Sequence, residues 1–207
     1  MKYYQFIFCA AIMVCSCHER QLKENNPENV RESTKIVIDS NAVSKLDKAT
    51  YRVEGDSVFL NFRGGSIQIE GSGVIPIQND RNGEDSITLI DYDKNGVPEV
   101  IVMVDDPMMA RRAHLKVFKL EDGILKQVCF NTGSQKFDEL VVRNNICFID
   151  SVGNIFAYTT NTMDKDDQLL MQIDKYSWDK KNGEFLYIKS KSILESNLPD
   201  SIKGLIF

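Results

Sequence analysis

Apolar residues along this chain come in short β-rich runs closed by glycine, aspartate and asparagine. The clearest runs are Ser57–Phe62, Ile67–Glu70, Ile87–Ile90, Val100–Val104, Leu115–Leu120 and Ile124–Phe130. Leu140–Val142, Ile146–Ile149, Ile155–Thr160, Leu169–Trp178 and Phe185–Ile188 continue the series. From Lys35 onward no stretch holds a helical apolar period for three turns. A two-residue alternation is the pattern of a strand with one buried face, so each run is read as a strand. Asp122-Gly123 and Asn182-Gly183 supply the residue pair that takes positive φ in a type I′ hairpin turn, and Gly64-Gly65 marks a third hairpin. Only the tail from Ser192 to Lys203 has room for a short helix, and Pro199 limits it. The predicted fold class is all-β.

The turns recur. Gly65, Gly123 and Gly183 lie 58 and 60 residues apart, with Leu60, Phe118 and Trp178 before them and Ile67, Leu125 and Phe185 after. A second element recurs upstream as Ile38-Asp39, Ile90-Asp91 and Ile149-Asp150, at spacings of 52 and 59. Each copy reads as an apolar pair, a loop started by Asp, a strand and a glycine-turned hairpin. The expected architecture is an antiparallel β-repeat, propeller-blade-like or sandwich, with about three hairpin-containing repeats. A full propeller needs more blades than this length supplies.

The first residues differ from the rest. Lys2 is followed by an apolar run from Tyr3 to Val14 broken only by Gln5. At ~1.5 Å per residue that run cannot cross a ~30 Å hydrocarbon core, and it reads as a secretory signal. The break Val14-Cys15-Ser16-Cys17 resembles the lipobox of bacterial lipoproteins, including those of the Bacteroidetes type, with Cys15 as an untypical member. The resemblance implies that residues 1–16 are a signal peptide and that Cys17 is the lipidated first residue of the mature protein. The alternative is a plain signal peptide with Cys17 an ordinary thiol. His18 to Thr34 is almost wholly polar and reads as a tether, so residues 17–34 are anchor and linker and residues 35–207 the β-repeat domain. The implied location is the cell envelope, anchored to the outer membrane. Glu19 and Glu24, interleaved with Arg20 and Lys23, leave the periplasmic or surface face open.

Across 207 residues, 25 Lys and Arg against 30 Asp and Glu leave a net charge of −5, which argues against nucleic acid as a partner. Three of those carboxylates sit in one loop, Asp91-Tyr92-Asp93-Lys94-Asn95-Gly96-Val97-Pro98-Glu99, between two apolar runs. Hard cations take six to eight oxygens at ~2.3–2.6 Å. Asp91, Asp93, Asn95 and Glu99 offer side-chain oxygens, Val97 its carbonyl, and Gly96 the turn. An EF-hand is excluded, because its twelfth position is Val102 and its flanks are strands. The pattern is instead similar to the FG-GAP/VCBS repeat loop, which implies a structural calcium ion rather than a catalytic metal. The likeness covers residues 87–130 well and 146–190 loosely, and the second loop, Asp150 to Asn154, has lost the carboxylates. The ion-free alternative is an Asx-type turn capping strand ends.

The remaining chemistry is sparse. Cys129 and Cys147 are the pair a disulfide would join in an oxidising envelope, or else two buried thiols. Arg111, Arg112 and His114 form an anion- or sugar-binding patch or a solvated connection, and Asp164, Asp166 and Asp167 occupy the corresponding loop of the next copy. Such loops emerge on one face of a repeat fold and can frame a partner site together. Tyr176, Trp178 and Tyr187 read as core before they read as a sugar platform. With two histidines, no G-x-S-x-G elbow and no phosphate loop, no enzyme chemistry stands out. The expected role is non-enzymatic: a lipid-anchored protein that binds a protein or glycan ligand or is structural. The alternatives are an immunity or inhibitor protein against a toxin or lytic enzyme, and a glycan-active hydrolase.

Overall fold

The structure, a computed structural model, describes residues 36–37, 48–79, 83–163 and 166–194. The predicted signal peptide, Cys17 and the tether lie outside the described residues, as do Ile38, Asp39 and Asp164.

After β1 (Ile36–Val37) the chain makes a three-stranded meander, β2 (Ala49–Glu54), β3 (Ser57–Phe62) and β4 (Gly65–Glu70). Short strands β5 (Val74–Ile75), β6 (Ile77–Asn79) and β7 (Gly83–Asp85) lead to a second meander. It consists of β8 (Ile87–Ile90), β9 (Glu99–Asp105), β10 (Arg112–Glu121) and β11 (Ile124–Gln127). Three more short strands follow: β12 (Phe130–Asn131), β13 (Lys136–Phe137) and β14 (Leu140–Arg143). A third meander, β15 (Cys147–Ile149), β16 (Ile155–Met163), β17 (Leu169–Asp179) and β18 (Glu184–Leu194), ends the described chain. The fold is all-β, as predicted, and three hairpin-containing copies recur. The connecting strands stitch the copies together: β5 and β14 join the second sheet, while β6 lies parallel to β15 and β12 parallel to β18.

The three sheets form layers, and their side-chain parity makes two cores. Val100, Val102 and Val104 of β9 meet Tyr51, Leu60 and Phe62 of the first sheet. The intervening Ile101 and Met103 meet Phe130, Ile149 and Ile155 on the other side. Both faces of β9 are therefore covered, which is why its run EVIVMV is apolar almost throughout instead of alternating. A third cluster, Phe148, Phe156, Tyr158, Met171 and Ile173, occupies the opposite face of the third sheet.

Several predicted details change. Asp122-Gly123 is a type I′ turn, with φ of 53° and 78°. The first hairpin turns at Arg63-Gly64 (φ 46° and 85°), and Gly65 is already the first residue of β4. Asn182-Gly183 is not a two-residue turn. Asp179 pairs with Glu184 across a four-residue loop, and the Gly183 amide donates to the Asp179 carbonyl at 2.8 Å. A further I′ turn at Asn144-Asn145 (φ 50° and 59°) lay unmarked because neither residue is glycine. The cross-strand partners are Leu60–Ile67, Leu120–Leu125 and Trp178–Phe185, so Leu120 rather than Phe118 matches Trp178. Residues 192–194, expected to open a helix, continue β18, and residues 195–203 lie outside the described residues. No helix occurs among the described residues. Strand β2 escaped prediction because Arg52 and Glu54 interrupt its apolar signal, although Ala49 and Tyr51 are buried.

Candidate functional site

Ile90 ends β8 with its side chain in the core, and the next residue, Asp91, opens the loop that Glu99 closes at the start of β9. The structure brings the predicted ligand residues into one turn. Asp91 is buried, and its two oxygens accept from the Asn95 amide (3.1 Å) and the Gly96 amide (2.9 Å). Asp93 accepts from the Asn95 amide and from Asn95 Nδ2, at 3.0 and 2.9 Å. Asn95 Oδ1 in turn accepts from the Val97 amide at 2.7 Å. The loop thus folds as a nest of Asx-type turns, with Lys94 and Gly96 at positive φ.

Glu99 is the most sequestered of these groups, at 1% exposure. Its Oε2 accepts from the Tyr92 amide at 2.9 Å, which closes the loop across its neck. Burial pushes its carboxyl up to about 7; the Tyr92 amide opposes this, and the Asp93 and Asp91 carboxylates reinforce it. A buried carboxyl among like charges takes either a proton or a cation.

The second Asp loop repeats the first in reduced form. Asp150 follows Ile149 and accepts from the Val152 amide (3.0 Å), the Asn154 amide (2.8 Å) and Asn154 Nδ2 (2.7 Å). It offers a single carboxylate, and the loop's own donors occupy both of its oxygens. Tyr92 joins the two loops: its hydroxyl donates to the Gly153 carbonyl at 2.7 Å. Its ring stacks on Trp178 (centroids 5.0 Å, 23°) and meets Phe185 edge-on (5.1 Å).

No known family, curated protein or solved structure matches the chain. The site's chemistry is therefore read from its own atoms. The donor set is all oxygen, with three carboxylates, which suits a hard cation and not zinc. Among the described residues no three His, Cys, Asp or Glu side chains are grouped so that they could hold a metal ion, and backbone amides occupy both Asp91 oxygens and one of Asp93.

The other expected residues fall elsewhere. Cys129 and Cys147 are free thiols. Cys147 lies in the core, where burial pushes its thiol up to about 12, and Cys129 Sγ turns to Asp138 Oδ1 at 3.5 Å. His114 parts from its arginine neighbours and bridges two carboxylates, Glu139 Oε1 at 2.7 Å and Asp106 Oδ2 at 3.3 Å, with Lys116 also on Glu139. Asp166 and Asp167 are exposed. Tyr176 packs edge-on against Phe130 (5.6 Å) and Tyr187 (5.9 Å), so the aromatic residues of the last hairpin serve the core. Tyr92 was missed as a structural residue; its position inside the Asp motif was the available signal.

Proposed function

We propose that this chain is a lipid-anchored protein of the cell envelope whose β-repeat domain works by binding rather than by catalysis, and that one calcium ion staples the loop Asp91–Glu99. The lipobox-like Cys17 and the polar tether support the anchor. Asp91, Asp93, Asn95 and Glu99 with the Val97 carbonyl would hold the ion, as in the FG-GAP/VCBS-type loops the motif resembles. A bound divalent cation would supply charge neutralisation and cross-link the start of β9 to the end of β8.

One observation carries the calcium reading: Glu99, buried at the strand end, faces two further carboxylates, and among the described residues no lysine or arginine pairs with it. Unneutralised, that arrangement costs stability, so a ligand that binds only the folded state raises the melting temperature by mass action. The test uses full-length protein extracted from membranes in detergent. Intact mass should show the acylated chain beginning at Cys17, and millimolar calcium should raise the melting temperature by several degrees over chelator. An unmodified Cys17 sinks the anchor, and equal melting with calcium and chelator sinks the ion.

A further inference from the structure

At the end of the sheets opposite the Asp loops lies an open cleft of about 430 Å³. It forms where the connection from β9 to β10, the Asn144-Asn145 turn and the far ends of β16 and β17 come together. Met109 to Arg111 come from the β9–β10 connection of the second copy, and Asn161 and Leu169 from the strands of the matching hairpin in the third. The cleft collects three arginines, Arg111, Arg112 and Arg143, and among the described residues no acidic one lines it. In a chain with five more acidic than basic groups, such a concentration of one sign is local and specific.

The charges are arranged in a way that opposes folding. Arg112 and Arg143 are direct partners across the antiparallel pair of β10 and β14. Like charges at directly opposed positions destabilise a sheet. Among the described residues no carboxylate comes within ion-pair distance of any of the three arginines. Arg143 is held in place, its Nε donating to the Thr159 carbonyl at 3.0 Å, which leaves its terminal nitrogens for another acceptor. The Asn144 amide donates to the Arg111 carbonyl at 2.7 Å, tying the turn to Arg111. Tyr158 hydrogen-bonds Asn161 Oδ1, so Asn161 keeps its NH₂ as a further donor, while Met109 and Leu169 add apolar surface. Planar guanidinium groups bind carboxylate and phosphate in pairs of parallel hydrogen bonds, and an anion between Arg112 and Arg143 turns their repulsion into attraction.

We propose that this cleft binds a small organic anion, its carboxylate or phosphate group held by Arg112 and Arg143 with Arg111 as third donor. The proposal supplies the ligand class for the binding role above and rests on that role alone; the calcium loop and the lipid anchor stand separately.

Calorimetric titration of the full-length protein in detergent, at low salt, tests it with three probes. They are inorganic phosphate, glucuronate and a short-chain phosphatidylglycerol, with glucose as the uncharged control. Saturable binding of phosphate or glucuronate supports a soluble ligand, and binding of the phosphatidyl probe alone supports the same phosphate chemistry from a lipid headgroup. Arg112→Gln should weaken the bound probe by roughly tenfold or more. Without probe it should melt no lower than the parent, since the opposed charges are relieved. Should Arg112→Gln fail to fold, Arg111→Gln carries the same expectation for the probe. No binding by any anion, equal binding of glucose, or unchanged binding in the variants overturns the proposal. The calcium-dependent melting shift, measured on the same samples, keeps its own outcome.

Discussion

Gly153 sits at φ +88°, and a Cβ there would come within 2.7 Å of Tyr92 Cε1, a ring already fixed by its hydroxyl bond and by Trp178. Gly123, at φ +78° in its I′ turn, has nothing within 4 Å. Gly153→Ala therefore adds a steric cost to the backbone cost, and Gly123→Ala has the backbone cost alone. Urea unfolding should show a loss of about 1 kcal/mol for Gly123→Ala and about 2–4 kcal/mol for Gly153→Ala. Equal losses would mean that the close approach of the two Asp loops contributes nothing. The carboxylates of the first loop were legible in the sequence because their spacing is local. Tyr92 was not, because its partners Gly153 and Trp178 lie 61 and 86 residues further along and only folding brings them to it.

The loop from Asp91 to Glu99 carries a pH signature as an element. The Glu99 carboxyl is raised from its ordinary 4.5 to about 7, so the folded state holds this proton more tightly than the unfolded chain. Metal-free stability is then highest below pH 4.5 as far as this group is concerned and falls as pH rises toward 7. The loss is on the order of 2–3 kcal/mol across that window. Glu99→Gln keeps the acceptor for the Tyr92 amide and should abolish the slope, raising stability at pH 8. Calcium should flatten or reverse the slope, because a cation favours the ionised carboxyl. Denaturant midpoints from pH 5 to 8, with chelator and with calcium, measure all three, and a flat metal-free profile refutes the assignment. The strands on either side were readable because a two-residue apolar period needs no distant information. The hairpin between β17 and β18 was misread: a dipeptide names a favoured turn, but the pairing of Asp179 with Glu184 sets the loop length.

On the scale of the whole molecule the second sheet is common to both cores, so opening either core exposes β9. Amide hydrogen exchange should be slowest from Val100 to Val104, which are fully buried, and faster from Ile188 to Leu194 of β18, which are exposed or half-buried. Comparable exchange in the two segments would contradict a shared central layer. The local pattern of this chain by itself determined an all-β chain of recurring hairpins, two Asp-started loops and the acidic motif, because strand period, turn chemistry and ligand spacing are short-range properties. Only the tertiary structure decided which sheet lies in the middle and that Tyr92 pins one loop to the other. It also set Arg111 and Arg112 beside Arg143 while turning His114 to Glu139 and Asp106. Those facts depend on register and layer order, which arise from packing between residues far apart in the chain.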